Sequence, residues 1–144
     1  MSAPDFEFVE GATSDLAFVA RGAGPEEVFA AAAEALLAAT VERPAAVAER
    51  ECHRLAFQEP DLELLLLRFL NELVFLRDAR GLLLHPRRIR VDRGREARLD
   101  AELWGERLDP ARHGLGADVK AATAHGLRVA PCEAGWQACV TLDV

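Results

Sequence analysis

Short runs of alternating apolar and polar residues lie at both ends of the chain, and two longer stretches between them repeat at helical spacing. "PDFEFVEG" sets Phe6 and Phe8 against Asp5 and Glu7, and "SDLAFVARG" carries Leu16 and Phe18 into a polar turn. Both predict strands, joined by a short connection at residues 11–14. "GAGPEEVFAAAAEALLAAT" has Pro25 at a first helical position and Glu26 and Glu27 in the first turn. Val28, Ala32, Ala35, Leu36 and Ala39 recur at helical spacing and predict a helix from about residue 25 to 40, with Pro44 barring continuation.

"AVAERECHRLAFQ" predicts a third strand. Pro60 and Asp61 open a second helix that Gly81 closes; Leu62, Leu65, Leu66, Phe69, Leu70, Leu73 and Leu76 form its wide apolar face. Leu64, Leu67, Val74 and Phe75 widen that face, which predicts a helix covered on most sides. "LLLHPRRIRVDRG" and "EARLDAELWGERL" read as two strands around a turn at 93–95, and "DPARHGLG" as a loop. Two closing strands meet through "APCEAG". In the last of them Trp136, Ala138, Val140 and Leu142 alternate with Gln137, Cys139, Thr141 and Asp143. The order β-β-α-β-α-β-β-β-β predicts an α+β fold, with helices on one face of a mostly antiparallel sheet.

Composition narrows the function classes. The 144 residues suit a single domain over 1–144, and 51% hydrophobic with 28% charged residues suits a folded chain rather than a disordered one. A net charge of −7 argues against general nucleic-acid binding, which needs an excess of Lys and Arg, but suits a basic protein partner or a cation. Lys occurs once, at Lys120, beside sixteen Arg, a bias that reads as coding composition. Cys52, Cys132 and Cys139 show no zinc spacing and read as reduced thiols. The N-terminus lacks a signal-peptide pattern, and "LELLLLRFLNELVFL" is too short and too charged to span a bilayer, so a cytoplasmic protein is expected.

Candidate chemistry rests on four acids, Asp15, Glu106, Asp118 and Asp143, each at a strand end or turn from which side chains reach a common rim. Hard divalent cations take carboxylate, carbonyl and water oxygens, and Val144 adds an oxygen beside Asp143. On spacing alone the solvated reading of such acids is the stronger. His125, in "KAATAHGL", is open to three readings: general base, metal ligand, or a structural hydrogen bond, which pattern alone favours. His113 falls in the loop, His53 and His85 carry no usable pattern, and Thr13 and Ser14 suit a turn. "GAG" at 22–24 has no following Lys-Ser/Thr, and no nucleophile elbow or Cys/His pair presents itself, so a self-sufficient enzyme is not expected.

Taken together, these segments resemble the archease family. "ATSDLAFVARGAGPEEVFAAAAEALLAAT" is similar to the family's His-Thr-Ala-Asp signature with the strand, Gly and helix that follow. "DLELLLLRFLNELVFLRD" resembles its second helix, and "ELWGERLDPARHGLGADVKAATAH" its "GE…H…VKAvTyH" stretch. "GWQACVTLDV" resembles its terminal strand ending on Asp, so the likeness covers nearly the whole chain in order.

The resemblance implies an accessory, non-catalytic protein that binds a divalent cation (calcium, magnesium or manganese). It also implies a partner, the RNA-splicing ligase, whose guanylylation with GTP and multiple turnover it promotes in tRNA processing. Asp15 and Asp143 match the family's ligand acids, Val144 offers a further oxygen, and Asp118 lies where the family often has Glu. Lys120 and His125 match the "VKAvTyH" segment and are expected to serve nucleotide chemistry or partner contact. Glu106 and His113 match the "GE…H" segment, with no role derivable from sequence. The chain departs from the pattern at Ala12, where the motif has His, at Ser14 and at Ala124; loss of a histidine supporting the acid would weaken metal affinity. Two other readings compete: a metal-independent chaperone or scaffold for nucleic-acid-modifying enzymes, and a small hydrolase or nucleotide-binding enzyme using the same acids and His125.

Overall fold

The computed structural model describes residues 4–10 and 15–144. Seven strands and two long helices follow the expected order: β1 (Asp5–Glu10), β2 (Leu16–Gly22), α1 (Pro25–Thr40), β3 (Glu51–Glu59), α2 (Leu62–Arg80), β4 (Leu82–Arg93), β5 (Ala97–Arg107), β6 (Ala121–Cys132) and β7 (Gly135–Asp143). A short helix α3 (Pro110–His113) lies between β5 and β6, and a 3-10 turn spans Pro44–Ala46.

All paired strands are antiparallel, and the class is α+β. The strands form two sheets rather than one, in the orders β1-β2-β7-β6 and β3-β5-β4. The reason lies in the helices. Ten residues of α1 are buried, including Val28, Phe29, Ala32, Ala33 and Leu36, so no single sheet face accounts for its contacts. It packs on β2 and on β4, one strand from each sheet, and α2 packs on β6 and on β3, β4 and β5. Phe29 of α1 stacks on Phe69 of α2, with ring centroids 6.2 Å apart. Such pairs contribute about 0.5–1.5 kcal/mol beyond simple burial.

Local chemistry sets the helix ends. Pro25 stands at the first turn of α1, and Glu27 reaches back to accept the Ala23 N–H at 2.9 Å. Asp61 caps α2 by accepting the Leu64 N–H at 2.8 Å. Gly81 closes α2 with φ 65°, a left-handed conformation that favours glycine, and its N–H bonds Arg77 O at 2.8 Å. In the second sheet, a Cβ at Gly105 would lie 1.7 Å from the Leu83 carbonyl, so only glycine fits where β5 crosses β4.

The helices also close sheet edges. The second residue of each is a glutamate that accepts an N–H from an edge strand: Glu26 from Val91 of β4 at 3.0 Å, and Glu63 from Val129 of β6 at 2.9 Å. Edge strands expose unpaired N–H and C=O groups, and these bonds blunt two of them. The expected cover over α2 is incomplete, since Leu64 and Phe75 are exposed on it. The expected third strand starts at Glu51, because residues 43–50 are pinned by side chains instead. Among the described residues no helix is long and apolar enough to cross a membrane.

Candidate functional site

Asp15, Lys120, Asp143 and Val144 meet at one end of the first sheet. β7 lies between β2 and β6. Leu16 is the register partner of Leu142, so Asp15 and Asp143 are the next residues outward on neighbouring strands. On the other side, Ala121 pairs with Asp143, and the Lys120 N–H donates to the Asp143 carbonyl at 2.8 Å. Glu10 pairs with Leu16 and adds an acid on the next strand. Asp15 is half-buried, whereas Glu10, Lys120, Asp143 and Val144 are exposed. Carboxylate and carbonyl oxygens there are hard donors of the kind a divalent cation takes, and their exposure leaves room for water. Among the described residues no three Asp, Glu, His or Cys side chains already converge on one point. Ala12, Thr13 and Ser14, which lead into Asp15, lie outside the described residues.

Asp118 stands two residues before Lys120 and turns toward α2, with Arg77 Nη2 at 3.7 Å and its own side chain largely exposed. His125 sits in a wide bulge of β6. Four residues, 124–127, stand against Val140 alone, because the ladder passes from Thr123–Thr141 to Arg128–Cys139. Gly126, with φ 65°, turns the bulge. His125 is exposed; its backbone N–H reaches Thr123 Oγ1 at 3.4 Å, and its ring makes none of the hydrogen bonds found among the described residues.

Glu106 is not at the rim with the other three acids. It is 4% exposed at the end of β5, inside a polar hub. Its Oε2 accepts from Arg112 Nη2 at 2.6 Å, the Ala48 N–H at 2.8 Å and His113 Nε2 at 2.8 Å. Oε1 faces Arg112 Nη1 and Arg50 Nε, each at 3.1 Å. The Arg112 pair, then the Ala48 N–H, lower its pKa to about 2. With its charge met by two guanidinium groups, Glu106 is engaged structurally and not as a free ligand. His113, expected in a loop, is fully buried in α3. Its Nδ1 accepts the Asp109 N–H at 2.9 Å, so Nε2 carries the hydrogen donated to Glu106. Arg112 Nη2 also donates to the Ala46 carbonyl at 2.9 Å, tying α3 to the segment after α1.

Three side chains that tie distant segments together escaped the sequence reading. Asn71 of α2 bonds both backbone groups of Ala122: its Nδ2 donates to the carbonyl at 3.1 Å and its Oδ1 accepts the N–H at 2.8 Å. Arg77 donates to the Val119 carbonyl at 2.5 Å. Neither shows a sequence signal beyond a polar residue interrupting an apolar helix. His85 joins α1 to the following turn: Nδ1 meets Glu34 at 2.8 Å and Nε2 meets the Pro44 carbonyl at 2.9 Å. The Glu34 carboxylate raises the His85 pKa above its ordinary value.

Comparison with known proteins gives the family of the chain. Residues 6–144 match the model of the Archease protein family (MTH1598/TM1083). Protein archease of Thermococcus gammatolerans is 37% identical over 118 residues, covering 81% of this chain and 82% of its own. Protein archease of Pyrococcus abyssi is 31% identical over 134 residues, covering 92% and 94%. The solution structure of Methanobacterium thermoautotrophicum protein 1598 superposes with a TM-score of 0.83 at 28% identity, over 96% of this chain and 98% of that one. The crystal structure of a Thermotoga maritima archease, described as a possible chaperone, shares the fold with a TM-score of 0.65 at 21% identity, over 100% and 98%. The chain belongs to the archease family.

Proposed function

We propose that this protein is a metal-binding accessory factor that promotes guanylylation and multiple turnover of an RNA-splicing ligase, with no catalysis of its own. The observation that carries the reading is the register that sets Asp15 beside Asp143, with Lys120 bonded to Asp143 on the far side. Like charges on directly neighbouring strand positions repel and destabilise a sheet unless a counter-ion meets them. Asp15, Asp143 and an oxygen of Val144 would hold a calcium, magnesium or manganese ion, with Asp118 near enough in the chain to contribute through water. When bound, the cation supplies positive charge against phosphate.

Lys120 supports the same reading by its place beside the acids, its N–H bonded to the Asp143 carbonyl. An ammonium is a compact point charge, which suits a phosphate of the GTP that the ligase consumes. His125, exposed on its bulge, would serve partner contact in this reading. The net charge of −7 suits docking on a basic RNA-processing enzyme in the cytoplasm.

Exposed Leu64 and Phe75 on α2 favour a second reading, a metal-independent chaperone or scaffold. Removing the ligand acids at constant metal separates the two. Stimulation of ligase guanylylation in manganese that is lost in Asp15→Ala and Asp143→Ala, while both variants stay folded, supports the metal-dependent factor; stimulation equal to that of the unaltered protein supports the scaffold.

A further inference from the structure

We infer that Asn71 and Arg77 of α2 are positioning residues for Lys120. The inference rests on the functional reading above. Lys120 immediately precedes β6, the strand at the open edge of its sheet. Its neighbours on both sides are held by α2. Arg77 donates to the Val119 carbonyl, and Asn71 bonds the N–H and the carbonyl of Ala122 at once. The Asn71 amide thereby takes the place of a neighbouring strand at one residue of the edge, offering one donor and one acceptor in the pairing an antiparallel ladder uses.

The third hold is the Lys120 N–H itself, on Asp143 O. Residues 119–122 are thus gripped from α2 on one side and from β7 on the other. Just beyond them the ladder breaks into the 124–127 bulge, so no continuous strand pairing steadies this segment from its far end. The Arg77 side chain is 12% exposed and spans Val119 O, Asp78 and Asp118, which ties the residues just before Lys120 to α2. A helix residue that sets where a single lysine stands is a different element from the acids, and it acts only through that lysine.

The test uses Asn71→Ala in the full chain, with Asn71→Asp as the second variant should Ala impair folding. Asp keeps the acceptor for the Ala122 N–H and loses the donor. In the isolated protein, the amide hydrogen exchange of Lys120 should rise about tenfold or more in either variant, while amides of the β2–β7 ladder hold their protection. Unchanged Lys120 exchange, or equal loosening of the whole sheet, overturns the inference. In ligase guanylylation, Asn71→Ala should lower stimulation nearly as far as Lys120→Ala, and the double variant should fall no further. An additive double variant overturns the inference, because it places the Asn71 effect elsewhere. If the unaltered protein stimulates no ligase, the functional reading fails, and the positioning role stands or falls on the exchange data.

Discussion

Lys120 and Asp143 are joined backbone to backbone, the Lys120 N–H donating to the Asp143 carbonyl at 2.8 Å. One strand further, Asp15 follows the Leu16–Leu142 pair outward to the same end. One basic residue and two acids from three separate parts of the chain are therefore brought together at the ends of neighbouring strands.

Removing either acid separates binding from folding. Asp143→Ala and Asp15→Ala should each weaken divalent-metal affinity by about tenfold or more, as loss of a direct carboxylate ligand does, with little change in Tm because Asp143 is exposed and Asp15 only half-buried. Calorimetric titration of calcium and manganese alongside thermal melts checks both parts. A Tm fall of many degrees with unaltered metal affinity would make the acids structural.

Lys120→Arg keeps the charge and changes its shape. A guanidinium is planar and forked where the ammonium is compact, so the substitution should lower stimulation of the ligase substantially without altering the melt. Equal stimulation by the Arg variant would mean that charge alone suffices.

The Glu106 hub governs stability. Glu106→Gln leaves Arg112 without its buried counter-charge and should destabilise by about 2 kcal/mol, the range of a hydrogen bond to a charged group. Because the folded pKa of Glu106 is lowered to about 2, its contribution is present above the unfolded carboxylate value and is lost as pH falls through 4 toward 2. Urea midpoints at pH 7 and pH 3 test this: the gap between the unaltered protein and Glu106→Gln should narrow at the lower pH.

His85 has the opposite sign. Its folded pKa is raised by Glu34, so its contribution is fully present below its unfolded value and is lost as pH rises through the folded value. His85→Gln should therefore destabilise more at pH 5.5 than at pH 9. A difference that stayed constant across that interval would show that the ring acts without its charge.

Much of this architecture was legible in residue pattern. The spacing of Val28, Ala32, Ala35, Leu36 and Ala39 predicted α1 to its ends, because Pro25 and the absence of a competing turn leave few alternatives. Asp61 and Gly81 marked α2 for the same reason: each performs a local capping task visible in sequence. Division into two sheets was not legible, since it depends on which strands share a helix rather than on any one strand's pattern. Glu106 read as a rim acid because its neutralising partners, Arg50 and Arg112, are distant or unremarkable in sequence, and His113 read as a loop residue because one helical turn leaves no periodicity. Asp15 and Asp143 stand out in sequence as acids at strand ends, and the family resemblance matches them to ligand acids; their adjacency needed the antiparallel register of β2 and β7. Asn71 was invisible because its partners are backbone atoms of Ala122, 51 residues away.

The measurement that tests the central claim most directly is multiple-turnover RNA ligation by an RNA-splicing ligase with GTP and manganese, comparing no addition, the unaltered protein and Asp143→Ala. The account predicts that the unaltered protein raises ligase guanylylation and turnover and that Asp143→Ala, folded and melting normally, does not. Equal stimulation by both proteins would contradict it.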